Sequence, residues 1–242
     1  MPRYAIVSDI HSNLESLTAA LERISPSDAV LCLGDVVGYG PNPNECVEMI
    51  RARATATVLG NHDVAAIDNF GLAYFNPTAR EAMRWTQTVL TSANVKWLNS
   101  LGYEFRAPEF LLVHGAPITY FEYILDKSAA ARAFAATDAP LIFIGHTHIA
   151  EYYAQRPDGS IDHKHWQQGG TFRLDAGSRY IVNVGSVGQP RDLNPRASFA
   201  FYEPANASVT ITRFDYAISR VQEKIAQVHL PDALARRLVV GR

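Results

Sequence analysis

Tyr4-Ala5-Ile6-Val7-Ser8-Asp9-Ile10-His11-Ser12-Asn13-Leu14 opens the chain as a short apolar run that breaks into polar residues and then restarts at helical spacing. Leu14, Leu17, Ala20, Leu21 and Ile24 recur on one helix face until Pro26 ends the pattern. A second apolar run, Ala29 to Leu33, closes in Gly34-Asp35. Cys46, Val47, Met49 and Ile50 predict a second helix, with Pro41 and Pro43 in the loop before it opposing helix, and Thr55 to Leu59 predicts a third strand. Strand, helix, strand, helix, strand implies right-handed crossovers and a parallel sheet, so the fold class is α/β.

Further along, Phe110 to Val113 and Leu141 to Ile144 read as buried strands on either side of an Ala-rich helix around Ala129 to Ala136. Residues 64–106 are different: two helical patterns, roughly Thr78 to Leu90 and Ala93 to Leu101, with no clear strand core. They form either a small helical cap or the next helical layer of a single domain spanning 1–242. After His148 the style shifts to strands joined by turns, with Pro157-Asp158-Gly159, Gly169-Gly170 and Pro204-Ala205-Asn206 as turn signals. Alternation through Val209, Ile211 and Arg213 suits antiparallel strands with one buried face. An amphipathic helix, Ala217 to Val228, ends the pattern.

The chain has 242 residues, 48% of them hydrophobic, enough to bury one large core. Its net charge of −2, pI of about 6.4 and lack of a basic stripe argue against nucleic acid as a bulk partner. Cys32 and Cys46 offer no disulfide framework, and Cys32 falls inside a predicted strand as a small apolar residue. A strand begins at Tyr4, which leaves no room for a signal peptide, and no apolar run nears the ~20 residues that span a bilayer. The expectation is a cytoplasmic protein with no membrane partner.

Five of the eight histidines follow apolar runs, among Asp, Asn or Gly: Asp9-Ile10-His11, Gly60-Asn61-His62-Asp63, His114-Gly115 and Gly145-His146-Thr147-His148. Asp35 ends another such run. Each group alone can be a cap or a turn. Together, at the converging ends of parallel strands, imidazoles, carboxylates and an amide read as a transition-metal site. His146 and His148, two apart on an extended segment, can face the same point. His163, His165 and His229 lack this setting and are read as surface residues.

In this order and chemistry the chain resembles the calcineurin-like metallophosphoesterases, in a small bacterial and archaeal branch. The resemblance implies a four-layer α-β-β-α sandwich of two mixed sheets with flanking helices. It implies that Asp9, His11 and His148 hold one metal ion, that Asn61, His114 and His146 hold the other, and that Asp35 bridges them. The ions would be two divalent transition metals, Mn, Fe, Zn or Co, since mixed N/O ligation suits these better than Mg. They would clamp a phosphate and lower the pKa of a bound water, and the resulting hydroxide would attack phosphorus. His62, left free of metal, would protonate the leaving alkoxide as general acid; its other reading is a residue that orients Asn61 or Asp35.

The implied activity is hydrolysis of a small phosphorylated substrate. A phosphodiester or nucleotide-type ester is favoured, dinucleoside polyphosphates included, with a phosphomonoesterase as the alternative and a non-catalytic scaffold relative as a lesser one. The protein Ser/Thr phosphatases of the superfamily carry Gly-Asp-x-x-Asp-Arg-Gly, whereas this chain reads Gly34-Asp35-Val36-Val37-Gly38-Tyr39-Gly40. Gly38 stands in place of the Asp that steadies the general acid, and Tyr39 in place of the phosphate-gripping Arg. That branch is therefore not expected, and Asp63 or another acid is left to support His62. Phosphate contact is expected from Arg191 in the Gly-rich stretch Asn183 to Asp192, with Arg196 as a second candidate, unless the Arg pairs with Asp192 or Asp215. Asn13 is either the N-cap of the first helix or a substrate contact. Tyr39, Tyr74, Phe75 and Asn76 are placed to contact a nucleobase, or belong to the core.

Overall fold

The computed structural model describes residues 3–242. Strand β1 (Tyr4–Val7) leads through α1 (Leu14–Leu21) to β2 (Ala29–Cys32), and α2 (Pro43–Arg53) leads to β3 (Ala54–Thr57). These strands pair in parallel in the order β3-β2-β1, as the alternating pattern implies. Pro43 departs from expectation. It is the first residue of α2 rather than part of the preceding loop, a position where the missing N–H has no helical partner to lose and the fixed φ suits the turn.

The next stretch holds α3 (Asn61–Asp68), α4 (Pro77–Val89) and α5 (Ser92–Leu98). Then come β4 (Glu104–Arg106), β5 (Leu111–Val113), α6 (Lys127–Ala135) and β6 (Leu141–Ile144). The second half is strand-rich: β7 (Ala150–Gln155), β8 (Ile161–His165), β9 (Gly170–Arg173), β10 (Arg179–Val184), β11 (Ala197–Glu203) and β12 (Ser208–Phe214). Two helices, α7 (Ile218–Gln227) and α8 (Asp232–Leu238), finish the chain. Among the described residues no helix is long and apolar enough to cross a membrane.

The strands form two six-stranded mixed sheets, β3-β2-β1-β11-β12-β9 and β4-β5-β6-β10-β7-β8. Alternation along β1 sends Ile6 one way and Ala5 and Val7 the other. Ile6, Leu31, Leu33 and Val58 meet Phe110, Leu112, Phe143 and Val182 between the sheets. Ala5, Val7, Val30 and Cys32 face Leu17, Ala20, Val47 and Ile50 of α1 and α2. On the far side, Val113, Ile142, Ile144 and Ile181 pack on Ala130, Ala133 and Phe134 of α6. The result is the expected α-β-β-α sandwich. Central strands buried on both faces have few polar positions, which is why β1, β2 and β6 are continuous apolar runs in the sequence.

Within 64–106, α4 and α5 lay Met83 and Leu98 into the same core as α1 and α2. Ala79 and Ala82 join Val221, Ile225, Leu234 and Leu238 of α7 and α8 in a cluster that includes Tyr39. The same region also contains β4, whose three residues are all exposed; an exposed edge strand writes no apolar run.

The face of β12 that sends Val209 and Ile211 into the core carries Arg213 as well, with nearly all of its side chain out of water. Its guanidinium pairs with the Asp192 carboxylate and donates to the Arg196 carbonyl at 3.1 Å, tying down the loop that follows β10. Arg213→Ala would strand the Asp192 charge, a loss of about 3–5 kcal/mol. Denaturant unfolding should show a drop of that size, and an unchanged midpoint would contradict the buried pairing.

Candidate metal centre and active site

Every strand that runs into the site ends in a chemistry-bearing residue. Asp9 and His11 follow β1, Asp35 follows β2, His114 follows β5, and His146 and His148 lie between β6 and β7. Asn61 and His62 begin α3, directly after β3. Several of these residues hold left-handed backbone: Asp9 (φ 53°), His11 (48°), Asp35 (52°), His146 (67°) and His148 (61°). Such conformations cost a non-glycine residue of order 1–3 kcal/mol and cluster at functional sites.

The side chains converge into two groups that share one residue. Asp9, His11, Asp35 and His148 place ligand atoms within 4.8 Å of one another, and so do Asp35, His114 and His146. Asp35 Oδ2 lies 3.6 Å from His11 Nε2 and 3.3 Å from His114 Nε2, while Asp35 Oδ1 accepts the His62 backbone N–H at 2.8 Å. Asp9 is built the same way. Its Oδ2 accepts from Ser8 Oγ at 2.7 Å and from the His146 N–H at 3.0 Å, and its Oδ1 faces His148 Nε2 at 3.2 Å. Each carboxylate thus has one oxygen held by the protein and one turned inward.

The four imidazoles are aimed by main-chain carbonyls. His11 Nδ1 lies 3.2 Å from the Val37 oxygen, His114 Nδ1 2.8 Å from Leu33, His148 Nδ1 2.5 Å from Gln189, and His146 Nε2 3.0 Å from Phe121. A carbonyl only accepts, so the ring proton sits on that outer nitrogen and the inner nitrogen presents a lone pair. The inner nitrogens of His11 and His148 are then 3.0 Å apart, and those of His114 and His146 are 3.1 Å apart. Lone pairs facing each other at such distances need a cation or a proton between them. Asp9 Oδ1 and Asn61 Oδ1 are buried without hydrogen-bond partners. These residues fit divalent metal on the chemistry of their donors alone.

Proton affinities tell the same story. Burial opposes charge on His114, yet the Asp35 and Asp9 carboxylates overcome it and raise the imidazole to about 9. Burial likewise opposes ionisation of Asp35, and His114 and His62 outweigh it, so the carboxylate stays ionised. Burial lowers His11, His146 and His148, favouring the neutral ligand form. The cluster attracts positive charge at its centre.

His62 stands beside the cluster, 5% exposed, with its ring between Tyr39 at 4.5 Å and Phe75 at 4.4 Å. Its Nδ1 is buried with no hydrogen-bond partner among the described residues. Burial pulls it down to about 4, against the upward pull of Asp35. Asp63, the acid considered as its support, points elsewhere: its carboxylate accepts the Val37 and Gly60 N–H groups, both at 3.1 Å. Position 38 has no room for an acid, because the His62 ring lies against it. A Cβ there would lie 2.4 Å from His62 Nδ1, on a backbone at φ +93°. Gly60 is required in a similar way, since a Cβ on it would meet Asp35 Oδ1 at 2.1 Å.

Arg191 reaches the site rather than an acid on the surface. Its Nη2 donates to Gln189 Oε1 at 2.9 Å and to Tyr39 Oη at 3.4 Å, and its Nε is buried without a partner. Asp192 pairs with Arg213 instead, and Asp215 lies 3.8 Å from Arg196. Tyr39 is 7% exposed and packs its ring 4.7 Å from His11. Asn13 is 2% exposed and bonds both ends of its amide within the protein. Its Oδ1 caps α1 at the Ser16 N–H (3.1 Å) and its Nδ2 donates to the Gly188 carbonyl (2.8 Å), as the cap reading expects.

Some neighbours have no signal in the sequence. Tyr123 stacks on His146 at 3.8 Å, and the Arg237 guanidinium lies 5.8 Å from the Tyr39 ring centre, opposite in sequence to everything else at the site. Phe70, Tyr74, Phe75, Phe121 and Tyr123 line a cavity of about 350 Å³ that ends on Asn61 and His146. Asn76 is not part of it; its side chain caps α4 at the Ala79 N–H, 2.9 Å away.

Known proteins share this architecture. Residues 3–207 match the calcineurin-like phosphoesterase superfamily domain. An uncharacterized protein of Methanocaldococcus jannaschii is 37% identical over 246 residues, covering 98% of both chains. The crystal structure of a metallophosphoesterase from Sphaerobacter thermophilus is 40% identical, covers 99% of this chain and 100% of its own, and superposes with a TM-score of 0.89. A hypothetical protein of Pyrococcus horikoshii shares the fold at 18% identity and a TM-score of 0.78, covering 100% and 99%. The sandwich, the buried Asp/His cluster and these likenesses agree: the chain belongs to the calcineurin-like phosphoesterase superfamily and is a phosphoric ester hydrolase of its small bacterial and archaeal type.

Proposed function

We propose that the protein hydrolyses a small phosphodiester or nucleotide-type ester, a class that includes dinucleoside polyphosphates, in the cytoplasm and with two divalent transition-metal ions. The observation that carries this reading is the sharing of Asp35 between the two ligand groups. Asp9, His11 and His148 would hold one ion, Asn61, His114 and His146 the other, and Asp35 both. A nitrogen-rich donor set favours Mn, Fe, Zn or Co over Mg. Ions bound there would polarise phosphoryl oxygens and lower the pKa of a coordinated water.

The chain's own residues do the rest. Arg191, held by Gln189 and Tyr39 with its charge near His62 and His148, would grip a phosphate oxygen. His62 is the proton donor to the leaving oxygen. Burial opposes charge on its imidazole, and the negative charge of a docked phosphate favours the protonated form. The preference for a diester is supported by the aromatic cavity beside Asn61 and His146, with Tyr74 92% and Phe70 65% exposed on its rim. Exposed aromatic surface next to a phosphate site suits a base or aryl group, worth ~1–3 kcal/mol per stacked base.

A substrate panel with Mn²⁺ tests the assignment. Bis-p-nitrophenyl phosphate, cyclic nucleotides and diadenosine polyphosphates should turn over faster than matched monoesters, and a strict monoesterase profile would overturn it. The proton-donor role has a separate signature. His62→Ala should keep its metal and lose about 10²–10⁴-fold on esters with alkoxide leaving groups, with a much smaller loss on p-nitrophenyl esters. Gly38→Ala, which displaces the His62 ring, should reproduce that pattern. Equal losses on both leaving groups would assign His62 a purely structural role.

A further inference from the structure

Away from the strand-end cluster, β7 and β8 bring together a second set of metal-binding side chains. Their antiparallel register pairs Glu151 with His165 and Tyr153 with His163. Residues two apart on a strand share a face, so both imidazoles meet the Glu151 carboxylate. His163 Nε2 lies 2.6 Å and His165 Nδ1 3.4 Å from Glu151 Oε2, and one ligand atom from each residue falls within 4.8 Å of the others. Tetrahedral Zn²⁺ with ~2.0–2.1 Å bonds sets its ligand atoms roughly 3.3 Å apart, a value the two measured separations bracket.

The surroundings favour binding as well. His163, expected from the sequence to be a surface residue, is stacked on the buried Tyr153 at 4.3 Å with a 2° interplanar angle, so its ring plane is held. Burial, and after it Lys127, keeps that imidazole below its ordinary proton affinity and therefore in the neutral form that ligates metals. The Glu151 side chain is 3% exposed, and its burial pushes the carboxyl up to about 7. A buried carboxylate gains most from a cation it can touch. His165, with 60% of its side chain exposed, leaves an open approach and room for water on the outer side. Tyr153 belongs to the core under α6, which puts the trio on the outer face of the second sheet.

We propose that Glu151, His163 and His165 form a third cation site, independent of the strand-end cluster, for a borderline divalent metal such as Zn²⁺. Two imidazoles and one carboxylate select Zn, Ni or Co over Mg and Ca. Strand β8 is the outer strand of its sheet and pairs with β7 alone. A metal there clips that edge strand in place, and the site's role is structural.

The test uses the full-length protein stripped with a chelator, equilibrated with Zn²⁺ alone, passed through metal-free buffer and analysed for zinc per chain. Wild type should carry one zinc more per chain than His165→Gln, and Glu151→Gln should match His165→Gln. Zinc should raise the melting temperature of wild type more than that of His165→Gln. Hydrolysis of bis-p-nitrophenyl phosphate should be the same for wild type and His165→Gln. Because His165 is exposed, its substitution leaves the fold intact even if the buried Glu151 does not tolerate exchange. Direct titration should show the site's affinity falling at least ~10-fold in His165→Gln. Equal zinc content and equal zinc-induced stabilisation in wild type and His165→Gln would overturn the proposal.

Discussion

The Asp35 carboxylate, 1% exposed, has one oxygen tied to the His62 backbone N–H and the other facing both His11 and His114. A buried anion of this kind is tolerable only among donors or cations. The arrangement around it supplies both. One oxygen is satisfied at the start of α3, where the helix dipole and free N–H groups favour negative charge. The other joins two groups of ligands that come from four separate strand ends. The parallel strands, the glycine at position 60 and the carbonyls that aim the imidazoles all serve to bring those groups to this one atom.

That convergence is built from costly pieces. Left-handed backbone at Asp9, His11, Asp35, His146 and His148 is unfavourable for residues with a Cβ. It turns the chain at the ends of β1, β2 and β6, where these ligands sit. The two-sided burial of β1, β2, β6 and β10 between helical layers offsets the expense. The loop after β10 is held by a different device, the Arg213–Asp192 pair, and that loop carries Gln189, which aims His148, and Arg191, which bonds Gln189 and Tyr39.

Much of this is legible in the sequence because deep burial leaves strong local marks. A strand covered on both faces is an unbroken apolar run, and a chemical group at its end is conspicuous; β1, β2, β6 and the ligands after them follow directly. Where burial is partial the marks fade. Strand β4 is exposed, and α3 begins inside Gly60-Asn61-His62-Asp63, whose residues read as a turn. Pro43 reads as a helix breaker until its place at the first turn is known. Relations across strands or between distant elements leave no local trace at all. Nothing near His163 announces Glu151 opposite it, and nothing near Arg237 announces Tyr39. Asn13 shows the reverse case: either reading suits the sequence, and the bonds to Ser16 and Gly188 appear only in the fold.

The proposed chemistry needs two metal ions held in common by Asp35. Anomalous diffraction from crystals soaked in Mn²⁺ tests this most directly. Two anomalous peaks are predicted, one among Asp9, His11 and His148 and one among Asn61, His114 and His146, both in contact with the Asp35 carboxylate. A single peak, or a pair that leaves Asp35 uncoordinated, would contradict it.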